Sequence, residues 1–232
     1  MWFEISASDF GHRAALFLDR DGVIVEDTNY LGRPEDMRVL PGAAEAIARC
    51  NRLRIPIVMV SNQSGIARGL YDWSGFHAVQ AALAVVLANA GAHLDPAFAC
   101  AHHAEGGAPL NIPDHPWRKP NPGMIVAAAQ QMNLDLSHSW IVGNRVSDIA
   151  AGRAAQLAGG ILLSPREDDP EQDEAIGSLR AAGYAVEISA SLADAVSLLF
   201  SRGHLGPAVV QAEETSGQLP HLAAGRNADL PR

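Results

Sequence analysis

The sequence predicts an α/β fold of three layers, a mainly parallel sheet covered by helices on both sides. Three observations carry that prediction. Short runs that are apolar throughout recur along the 232-residue chain, segments of helical periodicity separate them, and the residues that follow several of the runs are polar. A strand with no polar face belongs to a sheet buried on both sides, and helices between such strands supply the crossovers that keep them parallel.

Taken in order, the first apolar run is Ala14-Ala15-Leu16-Phe17-Leu18, followed by a helical pattern over residues 41–54. A second run, Ile57-Val58-Met59-Val60, leads to a helix over 76–90, and another helix follows over 123–132. Trp140-Ile141-Val142 precedes a helix over 149–158. Ile161-Leu162-Leu163 and Ala185-Val186-Glu187-Ile188 come next, and residues 192–200 form the last helix. This is the element order of a single Rossmann-like domain, assigned to residues 14–202. From Gly203 periodicity dissolves, so residues 203–232 are expected to be a poorly ordered tail.

Composition limits the partners. Hydrophobic residues make up 48% of the chain and charged ones 19%, enough apolar matter for a packed core. The formal charge of -9 disfavours nucleic acid and anionic membrane, so an anionic ligand needs a local basic pocket. Residues 78–90, the longest apolar stretch, include Gln80 and Asn89 and fall short of the ~20 residues of a membrane span. The first eleven residues carry Glu4 and Asp9 without a basic residue or a sustained apolar core, which reads as a cytoplasmic protein. Cys50 and Cys100 give no disulfide framework, and Cys50 fits a buried helix face.

In parallel sheets ligands bind beyond the carboxyl ends of the strands. Asp19 and Asp21 stand there after the first strand, and two carboxylates this close call for a compensating cation. Magnesium suits oxygen ligands and can bridge to a phosphate. A calcium loop is excluded, because its glycine belongs at the sixth position and Gly22 would be at the fourth. After the second strand, the Ser61 hydroxyl and the amides of Asn62, Gln63 and Ser64 suit a phosphate, with Gly65 permitting the turn. Arg118 and Lys119 add two cations before a helix start.

Three segments together, Asp19-Arg20-Asp21-Gly22-Val23-Ile24, residues 60–69 (Val-Ser-Asn-Gln-Ser-Gly-Ile-Ala-Arg-Gly), and Arg118-Lys119-Pro120-Asn121-Pro122-Gly123-Met124, resemble the haloacid dehalogenase superfamily. Asp27, Tyr30 and Arg33-Pro34-Glu35-Asp36 sharpen the likeness to its heptose-bisphosphate and histidinol-phosphate phosphatase branch, over about residues 14–200. The resemblance implies that Asp19 is the nucleophile and Asp21 the general acid and base. It also implies that magnesium is held by Asp19, the Asp21 carbonyl and Asn144, with Asp148 supporting the site. Ser61, Asn62 and Lys119 would hold the transferring phosphoryl group; a site left open by the lack of a large cap would suit a substrate with a second phosphate, gripped by Arg68, Arg118 or Arg145.

Two departures from the family pattern stand out. Asn144 occupies a position usually taken by Asp, which is expected to weaken magnesium binding without abolishing it. In the loop where the branch often binds zinc, Cys100, His102 and His115 remain but Trp117 replaces the fourth ligand; His103 or Asp114 are possible substitutes, and a zinc-free loop packed around Trp117 is expected. About forty residues between Asp21 and Ser61 leave no room for a large cap, so the site is expected to be open. The substrate implied is a small phosphorylated metabolite, foremost D-glycero-D-manno-heptose 1,7-bisphosphate converted to the 1-monophosphate. Histidinol phosphate, or sugar-phosphate binding without catalysis, are the alternatives. The chain is expected to act as a monomer or small homo-oligomer.

Overall fold

The computed structural model describes residues 1–3, 9–163 and 169–206. Its seven strands form one sheet in the order β1-β4-β3-β2-β5-β6-β7. They are β1 (Trp2–Phe3), β2 (Leu16–Leu18), β3 (Ile57–Asn62), β4 (Ala97–Cys100), β5 (Trp140–Gly143), β6 (Gly159–Leu163) and β7 (Ala185–Ser189). All adjacent pairs are parallel except β1 with β4.

The central strand shows why the sequence folds this way. Leu16 and Leu18 enter one core and Ala15 and Phe17 the other, as the alternation of side chains along a strand requires. The first core is closed by α1 (Ala43–Arg52), α3 (Trp73–Asn89) and α7 (Leu192–Ser201). The second is closed by α4 (Gly123–Met132), α5 (Val146–Ala154) and α6 (Pro170–Ala181). The short α2 (Ser64–Ala67) follows β3 directly.

β2 lies between β3 and β5, so the chain leaves it in one direction and later returns on its other side. The crevice at its carboxyl end is therefore a topological switch point, where α/β sheets bind ligands. Among the described residues no further domain is inserted. The connection from β2 to β3 holds a tight turn, a 3₁₀ helix over Pro34–Asp36 and α1, and that from β3 to β4 holds α2 and α3.

Besides the short helical turns, three elements escape the sequence pattern. β1 is only two residues long, and it draws the sheet from ahead of position 14. β4 is a four-residue run, Ala-Phe-Ala-Cys, with no β-branched residue to signal a strand. In α6 only Gln172, Ile176 and Leu179 are buried, too thin a stripe for periodicity to reveal, although Asp169 caps its start and Pro170 opens it. Of the expected tail, residues 207–232 lie outside the described residues, while Leu205 is buried in the first core. No helix among the described residues is long and apolar enough to cross a membrane.

Candidate active site

A cleft of about 380 Å³ opens at the carboxyl end of β2, lined by Asp19, Asp21, Asp27, Asn29, Tyr30, Asn62, Ser64, Tyr71, Arg118, Lys119, Pro120, Arg145, Ser147 and Asp148. Segments up to 129 positions apart in the chain thus meet because their strands are neighbours in the sheet.

Lys119 sits at the base of the cleft, 3% exposed. Its Nζ is 2.8 Å from Asp148 Oδ1 and 3.0 Å from Asp19 Oδ1, and it donates to the Val60 carbonyl at 2.7 Å. Burial works to lower its pKa, but Asp148 and Asp19 outweigh burial and raise it, so the ammonium stays charged. Asp19 Oδ1 also accepts from the Arg20 amide at 2.8 Å, which leaves Oδ2 with no hydrogen-bond donor among the described residues. Asp148 Oδ2 accepts from the Arg145 amide at the start of α5. Asp148 therefore serves Lys119 and the helix start together.

Asp21 is held differently. Arg20 donates to it from Nε (3.1 Å) and from Nη2 (3.0 Å), and Gln63 Nε2 adds a third bond at 3.1 Å. Burial nevertheless prevails over Arg20 and raises the Asp21 carboxyl above the usual range. Gly22 has φ +78° and a Cβ there would lie 2.0 Å from Asn144 Nδ2, so only glycine lets Asn144 approach this turn.

Several expected phosphate ligands have other work. Asn62 clamps Lys119 at two points, its Nδ2 donating to the Lys119 carbonyl (3.0 Å) and its Oδ1 accepting from the Lys119 amide (3.1 Å). The Gln63 amide donates to the Cys100 carbonyl at 2.8 Å, and its side chain is turned inward, 1% exposed. Ser61 is equally buried and its Oγ accepts from Gln63 Nε2 at 2.7 Å. Arg68 lies outside the cleft lining, paired with Glu105 at 2.8 Å and near the Tyr30 ring. Arg118 and Arg145 do line the cleft; Arg118 donates to the His102 carbonyl and Arg145 pairs with Asp27 at 3.0 Å. Tyr30 stands at the mouth with φ +75°, 44% exposed.

Two residues without an assigned role in the sequence reading prove central. Arg20 is 0% exposed and satisfied by Asp21, Gln63, Gln80 and the Leu31 carbonyl, partners drawn from four segments. Tyr71 donates its hydroxyl to Gln63 Oε1 at 2.6 Å. Burial pushes that phenol up to about 12, so it remains a donor through the neutral range.

The residues fit magnesium. Asn144 Oδ1 is buried and lacks any hydrogen-bond partner, and the Asn144 side chain packs on Gly22 with its Nδ2 nearest; Asp19 Oδ2 accepts no hydrogen bond among the described residues. An unsatisfied buried amide oxygen next to a carboxylate suits a hard cation. Zinc fares otherwise: among the described residues no three His, Cys, Asp or Glu side chains form a metal-holding group. His102 and His115 stack ring on ring at 3.9 Å, and His115 Nδ1 accepts from the Trp117 amide. Burial keeps the Cys100 thiol protonated, and Trp117 packs against Phe3 and Phe98. Cys100 Sγ lies 3.8 Å from His115 Nδ1, and His102 Nδ1 is buried without a hydrogen-bond partner.

The HAD-hydrolase-like family model matches residues 116–182. A D-glycero-beta-D-manno-heptose-1,7-bisphosphate 7-phosphatase from Mesorhizobium japonicum is 50% identical over 152 residues, 66% of this chain and 70% of the relative. A D-glycero-D-manno-heptose-1,7-bisphosphate 7-phosphatase from Thermosynechococcus vestitus is 39% identical, covering 84% of this chain and 98% of its own. Among solved structures, a HAD-like phosphatase from Mesorhizobium loti superposes with a TM-score of 0.69 at 43% identity, over 78% of this chain and 91% of that one. D,D-heptose 1,7-bisphosphate phosphatase from B. bronchiseptica, complexed with magnesium and phosphate, gives 0.65 at 28% identity, over 82% and 99%. Identity of this extent, carried on the same fold, settles kinship: the chain belongs to the haloacid dehalogenase superfamily of phosphatases, in the branch that holds these heptose-bisphosphate phosphatases.

Proposed function

We propose that the chain hydrolyses D-glycero-D-manno-heptose 1,7-bisphosphate to the 1-monophosphate through a phosphorylated Asp19. The observation that carries this reading is the division of labour between two neighbouring carboxylates, Asp19 pinned by Lys119 and Asp21 pinned by Arg20. Asp19 attacks the phosphorus and the bond to the C7 oxygen breaks, while Asp21 gives its proton to that oxygen. Water then attacks the aspartyl phosphate, its proton returns to Asp21, and the bond from phosphorus to Asp19 breaks. The raised pKa of Asp21 suits a group that must be protonated in the first step.

Asp19, the Asp21 carbonyl and Asn144 would hold magnesium, which supplies positive charge to the phosphoryl oxygens. Lys119 adds a fixed charge beside the nucleophile, Asn62 and Ser64 line the phosphate side of the cleft, and Ser61 and Gln63 support it from behind. Arg118 and Arg145, with Asp27 and Tyr30, line the part of the cleft that would take the sugar and its second phosphate. Arg68 supports the rim through Tyr30. The reading places this activity in the cytoplasm, in residues 14–202, with the chain a monomer or small homo-oligomer.

The test is phosphate release from the heptose bisphosphate and from histidinol phosphate across a magnesium titration, for wild type and Asn144→Asp. Wild type is expected to prefer the bisphosphate, and the variant to need about tenfold less magnesium, because a carboxylate replaces a neutral ligand. A preference for histidinol phosphate would overturn the substrate. Activity present only in Asn144→Asp would make the natural chain a binding protein.

A further inference from the structure

Gln63 lies buried just behind the cleft wall. On one side it faces Arg20, which can only donate; on the other it faces the Asp21 carboxylate, which accepts when ionised. Those two neighbours fix the amide: Oε1 takes the proton of Arg20 Nη2 at 3.0 Å, and Nε2 gives its two protons to Asp21 Oδ2 and Ser61 Oγ. Tyr71 donates to the same Oε1 at 2.6 Å, the shortest bond of the group. The Tyr71 ring is itself gripped. A Cβ on Gly65 would lie 2.2 Å from its Cε1 and a Cβ on Gly32 2.7 Å from its Cγ, so two glycines are needed for the backbone to close on it. The Gln63 main chain is anchored as well, through its bond to the Cys100 carbonyl.

We propose that Tyr71 is a positioning residue for Asp21, acting through the Gln63 amide. One hydroxyl at the cleft wall holds Oε1 in place, and the opposite end of the same amide orients Asp21 Oδ2 while occupying an acceptor position of the Ser61 hydroxyl. That occupation leaves the Ser61 proton free to point elsewhere, toward a phosphoryl oxygen. The inference rests on the reading of Asp21 as general acid and base, and assigns the means by which it is aimed. Tyr71 falls outside every segment that carries the family likeness, and lines the cleft without an ionic partner.

The test is a double-mutant cycle of Tyr71→Phe and Gln63→Leu, read as kcat and KM on the heptose bisphosphate, with the phosphorylation burst on p-nitrophenyl phosphate as a second reading. Tyr71→Phe is expected to lower kcat roughly tenfold with KM unchanged. Its burst rate should be that of wild type, because p-nitrophenolate leaves without a proton. Added to Gln63→Leu, Tyr71→Phe should cost nothing more. If the Leu variant does not fold, the kcat-against-KM split and the burst of Tyr71→Phe decide alone. A rise in KM, an equal loss in the burst, or full additivity would show that Tyr71 acts on the substrate directly and would overturn the inference. A wild type that releases no phosphate would instead remove the underlying reading, and the inference with it.

Discussion

Replacing Lys119 by methionine is expected to abolish measurable turnover and to destabilise the fold by about 3–5 kcal/mol, the usual cost of breaking a buried ion pair from one side. Methionine replaces the lysine stem, one heavy atom shorter, and carries no charge. Its loss would leave Asp148, 1% exposed, beside Asp19 with no cation between them, and would strip the Val60 carbonyl of its donor. Burial already raises Asp148 even with Lys119 present, so without the ammonium its folded pKa would stand still further above the unfolded value. The sign follows directly. A carboxyl of that kind penalises the fold when ionised, so the deficit should be largest near neutrality and shrink as pH falls toward the ordinary carboxylate range. Urea titrations at several pH values check this, with phosphate release as the parallel activity measurement.

Asp21→Asn is expected to separate the two chemical steps. Asparagine keeps the size of the side chain and can still meet Arg20, but it has no proton to exchange with the leaving oxygen or with water. Loss of general acid and base is expected to cost about 10²–10⁴ in kcat on an alkyl phosphate. An aryl phosphate, whose leaving group needs no proton, should still phosphorylate Asp19, and the acyl phosphate should then accumulate because nothing activates the water. Wild-type kcat on the alkyl ester should fall as pH rises through the raised pKa of Asp21, and the variant should lack that limb. Quenched-flow measurement of acyl phosphate on both substrates reads the separation.

These expectations draw on features that the sequence displays unequally. β2 and β3 were legible because each is apolar throughout and ends in polar residues, and the same rule put Asp19, Asp21 and Asn144 at one end of the sheet. β4 and α6 were not, since four small or aromatic residues and a helix with three buried positions give periodicity nothing to register. Within the cleft, spacing located the loops and could not assign rotamers. Gln63 lies in a segment that reads as phosphate-binding, yet its side chain is turned inward by Arg20 and Asp21. Arg20 itself looks like a solvated loop cation. Its burial depends on acceptors at Asp21, Leu31, Gln63 and Gln80, a convergence that exists only after the chain has folded. Asn62 shows the same limit, because its clamp on Lys119 joins positions 57 apart.

The central claim is that Asp19 carries the phosphoryl group. Wild type and Asp19→Asn should be mixed with heptose 1,7-bisphosphate, with and without magnesium, quenched in acid during turnover, and mapped by peptide mass spectrometry while released phosphate is measured. The account predicts magnesium-dependent phosphate release in wild type with the phosphoryl group on the peptide containing Asp19, and neither in the variant. Phosphate release by Asp19→Asn at the wild-type rate, or wild-type turnover that leaves the Asp19 peptide unmodified at every quench time, would contradict it.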